Sequence, residues 1–444
     1  MAAESLPQQL EQRDAARMRA YRDNLAFYSG AHWPGTPRRR ERRLTFNYVR
    51  TFVHKVTATL LAGMHVAVEP ADGSSEAEAR AAAARRILLA VAEANDLQEL
   101  DFETELDAAV LGDGCYKVTW EPDAASGAGP GVRITSPDVQ GLFAWWVGDD
   151  VSRVWRVASR YRLTAEEAGL LYGVTPSGVE AVVVEAWTAE SFSLWVGNDL
   201  TEERPNPYGF IPFIVFPNLR EPKQFWGSAD ITALMEPQRE INRAFSQLST
   251  ILELSGNPIA VLEGVEEAQD IAVQPGAVWE VPERARAYLL DLLQGGGVRL
   301  HTEYIELLYR VLHDLSETPR TAFGDSGRNL SGVALEMELY PMVQRVARKR
   351  LQRNSIYRLR AELALRVHQQ RTGEECWPVR LRTTWGTALP QDRDRLVQQE
   401  ERLVNAGLQS RRRAMANVGI ADPEGELSRV REEGERYTGQ PGMG

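Results

Sequence analysis

The segment from Ser316 to Gln370 constrains the fold of this chain more than any other. It begins with a polar, glycine-rich run, SETPRTAFGDSGRNLSG, and continues with apolar residues at intervals of three and four positions, the spacing of one helix face. Pro341 lies inside this pattern. Because proline lacks an amide proton and clashes with the carbonyl four residues before it, we expect a kink there and not a helix end. The sequence thus predicts a loop on a long kinked helix, and we interpret the loop as facing the inside of a ring.

Composition narrows the class of protein. The chain has 444 residues, of which 43% are hydrophobic, which predicts two or three folded domains. A net charge of −11 argues against a protein that coats nucleic acid, but not against one past which nucleic acid slides. Cys115 and Cys376 have neither a disulfide nor a metal-ligand spacing. With no apolar run of eighteen residues and no signal-like N-terminus, we expect an intracellular, soluble protein or part of an assembly, without membrane contact.

The remainder of the chain predicts an α+β protein. Residues 30–225 alternate between helical and strand patterns. Two amphipathic helical patterns, Asp230–Leu254 and Val298–Leu315, then flank a short β-rich insert. After Gln370, a strand-like stretch at Val379–Trp385 precedes further helical patterns that reach residue 437.

Motifs that carry chemistry are missing from the sequence. It contains no GxxxxGK[ST] phosphate loop, no GxGxxG after a strand, no GxSxG elbow and no HExxH pair. Asp392 and Asp394 form an isolated acidic pair, but they open a predicted helix, where the helix dipole favours acidic residues in any case. We therefore predict no catalytic residue, no cofactor and no metal site.

Five phrases, in order along most of the chain, resemble the portal proteins of tailed double-stranded DNA phages of the siphophage type. They are YSGAHW followed by NYVRTFVHKVTATLLAG; LDAAVLGDGCYKV; IPFIVFPN followed by WGSADITALMEPQREINRAFSQL; SGVALEMELYP; and GLQSRRRAMANVGIADPEGELSRVREE. The resemblance implies a mostly α-helical portal fold, α+β in class. Its regions would be a wing (1–227), a first stem helix (228–255), a small β-rich clip (256–297), a second stem helix (298–315), a tunnel loop (316–331), a kinked tunnel helix (332–370) and a helical crown (371–444).

The resemblance also implies the function. A dodecameric ring would occupy one vertex of the capsid and form the channel for packaging and ejection of double-stranded DNA. Its partners would be other copies of the chain, the DNA, the terminase large subunit, a head-completion or adaptor protein, the major capsid protein and scaffold proteins. Such a protein is not an enzyme. It would be assembled in the host bacterial cytoplasm and end in the virion.

The tunnel loop is where we expect DNA to pass closest. We predict that its DNA-facing residues are Arg320, Phe323, Asp325, Arg328, Asn329 and Leu330. The alternative is that the two arginines pair with Asp325 or Glu317 of a neighbouring subunit. Segment 332–371 carries nine basic residues against three acidic ones, and we expect these cations to pair with acidic faces of neighbouring subunits in preference to DNA.

Two other classes remain open. One is an enzyme of the packaging machine, a nuclease or an ATPase, although the missing phosphate loop and the isolated acidic pair argue against both. The other is a ring-forming structural connector without a role in conducting DNA. A ring of about twelve times 49.7 kDa with a central hole favours the portal.

Overall fold

A computed structural model describes most of the chain, and the fold is α+β and mostly helical, as predicted. The described residues are 5–39, 41–121, 131–174, 176, 178–256, 259–263, 286–290, 297–325, 332–388, 393–420 and 423–438.

The N-terminal region is helical but not continuous. Two helices form there, α1 (Leu6–Gln12) and α2 (Ala15–Tyr28). Asp14 separates them because its backbone is left-handed, with φ of 55°. Helix α3 (Tyr48–Leu61) begins at Asn47, whose side chain accepts a hydrogen bond from the Arg50 amide.

Strand β1 (His65–Glu69) leads into a helical pair, α4 (Ser75–Ala94) and α5 (Leu97–Leu111). Gly112 ends α5 with φ of 116°. A Cβ at this position would lie 3.1 Å from the Gly227 carbonyl oxygen, so the backbone approach itself requires glycine.

Two antiparallel sheets follow. The first has the order β3-β2-β9, formed by Val132–Thr135, Asp113–Trp120 and Phe213–Pro217. The second runs in chain order from β4 to β8, formed by Leu142–Val147, Asp150–Thr164, Glu180–Trp187, Ser191–Val196 and Asp199–Pro205. Helix α6 (Ala165–Tyr172) packs beside β5 and opens with a capping box between Thr164 and Glu167.

Two long helices follow the sheets, with a strand pair between them in the sequence. Helices α7 (Met235–Gly256) and α8 (Gly297–Ser316) contact each other. Strands β10 (Ile259–Glu263) and β11 (Arg286–Leu290) pair as an antiparallel ladder. Both helix predictions are confirmed, and β10 and β11 lie in the predicted β-rich insert between them.

Helix α9 (Gly332–Thr372) is the longest element and crosses the body of the protein. It contacts β2, α3 and α4, and its buried residues join the main hydrophobic core. Strand β12 (Arg380–Thr384) returns to pair with β1. Three further helices complete the described chain, α10 (Arg393–Asn405), α11 (Arg411–Asn417) and α12 (Pro423–Thr438).

Candidate functional site

The polar loop begins where α8 ends at Ser316. Glu317 has φ of 49° and turns the chain sharply, and a short 3-10 turn over Arg320–Phe323 follows. Gly324 closes this turn with φ of 85°, a conformation that favours glycine. The described part of the loop is therefore an ordered turn that packs against α8.

Arg320 and Asp325 form an ion pair across this turn, with 2.5 Å between Nη2 and the carboxylate. The Arg320 guanidinium also lies 5.2 Å from the ring centre of Tyr309 on α8. The sequence alternative placed an Arg–Asp pair between neighbouring subunits, but the pair forms within one chain. Contact of either residue with DNA stays a prediction.

The side chain of Phe323 is partly anchored. Its ring meets those of Phe52 and His313 edge to face, with centroids 5.5 and 5.8 Å apart, and the residue keeps 37% of its surface exposed. The other three predicted DNA-facing residues, Arg328, Asn329 and Leu330, lie outside the described residues. The structure thus brings Arg320, Phe323 and Asp325 together at the start of the loop.

His313 joins α8 to this turn and was not singled out by the sequence. Its Nδ1 lies 2.5 Å from the Thr318 carbonyl oxygen, so Nδ1 carries the proton and donates. The Nε2 atom is buried without a hydrogen-bond partner among the described residues. Burial lowers the pKa of His313, although the Thr318 carbonyl opposes this, and the ring is therefore neutral near pH 7.

Helix α9 receives the chain after the loop and runs through Pro341 without interruption. This confirms that the proline does not end the helix, whereas a kink there stays a prediction. Met337 loses the amide proton that residue 341 would normally donate to its carbonyl. Within the loop turn, Ala322 packs with Leu339 and Met342, which lie on either side of the proline.

Four basic residues of α9 pair with carboxylates of their own chain, whereas pairing with neighbouring subunits was expected. Arg345 donates to the Ser316 carbonyl at 2.7 Å and pairs with Asp230 at 3.0 Å. Lys349 donates to the same Asp230 at 2.5 Å and to Asn218 at 2.8 Å. Burial raises the pKa of Asp230, but Lys349 and Arg345 outweigh it and hold that pKa well below its ordinary value.

Further along α9, two arginines pair with carboxylates of α5. Arg353 donates through Nε and Nη2 to Glu105 at 2.6 and 3.0 Å, and Arg360 donates to both carboxylate oxygens of Asp101. All four side chains are buried. The expected pairing with other subunits is therefore wrong for Arg345, Lys349, Arg353 and Arg360, because a buried cation needs its carboxylate beside it in the same fold.

The sequence held a weak signal for these pairs. Asp101 and Glu105 stand four positions apart on α5, and Arg353 and Arg360 stand seven apart on α9, so each set occupies one helix face. Charged residues on a face that also carries core residues indicate buried partners. Nothing in the spacing says which helix supplies which partner.

Chemistry of other kinds is not apparent in the part of the chain that the structure describes. No group of three or more histidine, cysteine or carboxylate side chains there is arranged to hold a metal ion. No helix in that part has both the length and the apolar character to cross a bilayer.

Comparison with known proteins addresses the resemblance directly. No curated protein matches the sequence. The family described as "Phage portal protein, SPP1 Gp6-like" matches residues 8–440, almost the whole chain. The chain therefore belongs to the phage portal proteins of the SPP1 Gp6-like family, structural proteins of the portal vertex of the phage head.

Proposed function

We propose that this protein forms a dodecameric ring at one capsid vertex. The ring is the channel through which double-stranded DNA is packaged and ejected, and it docks the terminase motor and the head-tail connector. It has no catalytic activity of its own. Family membership supports the portal role, and one structural observation, an exposed apolar stripe on α8, supports assembly into a ring.

The stripe follows one side of α8, and its member Tyr304 also donates to Glu240 of α7 at 3.3 Å. Ile305 and Leu312 are buried, whereas Leu300, Tyr304, Leu307 and Leu315 are exposed, at spacings of four, three and eight positions. Such spacing places the four side chains along one helix face. Large apolar side chains aligned on a surface mark an interaction site.

The first turns of α9 present a second exposed set. Val333, Met337 and Tyr340 follow a spacing of four and three, and all three are more than half exposed. Both sets flank the loop in sequence. A neighbouring copy that packs on α8 and on the start of α9 covers them, and repetition of one head-to-tail contact closes a ring.

The regions of the ring follow from this arrangement. We assign the α+β body to the wing, α7 and α8 to the stem, the intervening strands to the clip, the loop to the tunnel constriction, α9 to the tunnel helix and the rest to the crown. The DNA-facing residues in this proposal are Arg320, Phe323, Asp325, Arg328, Asn329 and Leu330. Because Asp325 neutralises Arg320, the described part of the loop grips phosphate weakly, as sliding DNA requires.

Mass measurement of the purified full chain tests the ring. Native mass spectrometry should give about twelve times 49.7 kDa. Replacing Leu300 and Leu307 by Glu should prevent the ring, because it places charges in the apolar contact. Leu89→Glu is the matched control, since Leu89 is 63% exposed on α4, away from the stripe. A stable monomer that hydrolyses ATP or cuts DNA contradicts the proposal.

The neutral loop can be tested separately. Asp325→Asn leaves Arg320 without its carboxylate in every copy and should slow DNA packaging at low salt. The defect should shrink as salt rises, because each uncompensated cation adds salt-dependent phosphate affinity. If packaging rates are unchanged at every salt concentration, the pair of Arg320 and Asp325 does not face DNA in the channel.

A further inference from the structure

Two arginines lie against one tryptophan on the five-stranded sheet. The Arg13 guanidinium, just after α1, lies 4.5 Å from the ring centre of Trp145, and the Arg156 guanidinium on β5 lies 4.9 Å from it. Trp145 and Arg156 are register partners between β4 and β5. The sheet thus holds two like charges close together on a shared aromatic ring.

Neither cation is matched by a carboxylate. In the part of the chain that the structure describes, no Asp or Glu lies within 4.0 Å of either guanidinium, in contrast to the buried cations of α9. Arg13 donates to the Ala144 carbonyl at 3.3 Å, and its Nε is buried without an acceptor. Burial, and next the charge of Arg13, lower the pKa of Arg156. The pair therefore carries uncompensated positive charge that is partly removed from water.

A groove of about 250 Å³ adjoins this pair. Arg156 lines it together with two tryptophans and a row of hydroxyl side chains: Trp155, Trp195, Thr188, Ser191 and Ser193. Trp155 is 47% exposed, and the Trp195 indole nitrogen is buried without an acceptor. Arg156 and the Trp195 indole are donors without a carboxylate partner in the described chain, so they suit a ligand that offers acceptors and negative charge.

We propose that this groove receives a carboxylate-bearing segment of a second copy of the chain, the neighbouring subunit of the proposed ring. The chain carries 62 acidic against 51 basic residues, so a neighbour presents an excess of carboxylates to the uncompensated pair of Arg13 and Arg156. Glu203 also lines the groove, and Glu202 lies next to it on β8. These two carboxylates repel a polyanion such as DNA, whereas a single carboxylate side chain can reach Arg156.

The proposal rests on the ring, and dissociation of rings on dilution tests it. Arg156→Glu should raise the concentration at which half of the rings dissociate at least about tenfold, because it places like charges at a buried contact. Arg156→Gln should give a smaller rise and Arg156→Lys the smallest. Arg153→Glu is the matched control, since Arg153 is exposed on the same strand and does not line the groove.

A photo-crosslinking residue in place of Trp155 gives an independent measurement that does not depend on loss of stability. In purified protein it should yield a covalent species of two chains. Rings that are equally stable with Arg156→Glu, or the absence of the two-chain product, overturn the inference and leave the ring itself intact. A wild-type chain that never forms rings overturns the proposed function as well. Loss of duplex DNA binding in Arg156→Glu rings of normal stability identifies phosphate as the occupant and also overturns it.

Discussion

Arg353 of α9 and Glu105 of α5 form a two-point ion pair in which both side chains are fully buried. Tyr357 donates a third hydrogen bond to the same carboxylate at 3.0 Å, and Arg353 donates to the Pro217 carbonyl at 2.9 Å. Burial lowers the pKa of Arg353, but Glu105 outweighs it and raises that pKa above its ordinary value. The pair fixes the middle of α9 to the body of the protein.

Replacing Arg353 by Met should lower the free energy of unfolding by about 3–5 kcal/mol, because Glu105 is left as a buried, unpaired charge. The double variant with Glu105→Gln should lose less, since both charges are then gone. Urea unfolding followed by circular dichroism measures both values. Arg358→Met, at an exposed position of the same helix, should change stability by no more than about 0.5 kcal/mol. Equal losses at 353 and 358 would contradict this account.

Neighbouring positions on α9 separate a buried ion pair from an exposed one. Lys349→Met removes one of the two buried cations beside Asp230 and should cost about 3 kcal/mol, the lower end of the range for a broken buried pair, because Arg345 stays beside the carboxylate. Arg348→Met removes an exposed pair with Glu317 and should cost less than about 1 kcal/mol. The same urea titration measures the loss of unfolding free energy for both variants. A loss for Arg348→Met as large as that for Lys349→Met would show that burial does not determine the strength of these ion pairs.

Asp113 predicts a pH dependence of stability. Burial raises its pKa from 3.8 to about 6, even though the Tyr21 hydroxyl and the Gly227 amide donate to it. Between these two values the folded state binds more protons at Asp113 than the unfolded state, so its contribution to stability falls as pH rises from about 4 to about 6. Asp113→Asn abolishes this titration. The unfolding free energy of the variant minus that of the wild type should therefore rise by roughly 2 kcal/mol between pH 4 and pH 7. A difference that is constant over that range would exclude the titration.

Pro341→Ala should straighten α9, because residue 341 can then donate to the Met337 carbonyl. The clash of the pyrrolidine ring with that carbonyl also disappears. We expect no loss of thermal stability, since alanine is the better helix former by about 3 kcal/mol in a helix interior. Electron microscopy of the rings should show a changed aperture, and DNA packaging should be impaired. Unchanged ring geometry and packaging would show that the proline has no role in placing the loop.

The sequence predicted long amphipathic elements well. The helical patterns near 298–315 and 332–370 correspond to α8 and α9, and the strand-like stretch at Val379–Trp385 contains β12. These segments carry apolar residues at the period of their own structure, so burial and local spacing agree. Strand β8 was missed because it is an exposed edge strand, DLTEERP, without apolar alternation.

Contacts between side chains far apart in the sequence could not be predicted in this way. Arg353 and Glu105 are 248 positions apart, and the basic character of α9 indicated charge but not its partner. The start of the candidate loop was identified correctly as a turn rich in polar residues, but local spacing did not show that His313 and Phe52 anchor it. Such contacts depend on how α3, α8 and α9 meet, which no local pattern determines.

The ion pairs along α9 also restrict how the helix can move. A rotation of α9 about its axis, or a slide by one turn, would separate Lys349, Arg353 and Arg360 from their carboxylates at once and strand several charges in the protein interior. The ion pairs therefore oppose both rotation of α9 about its axis and sliding along it. The turns before Pro341 carry no such buried ion pair among the described residues, so we expect any displacement of these turns to be a hinge motion at the proline.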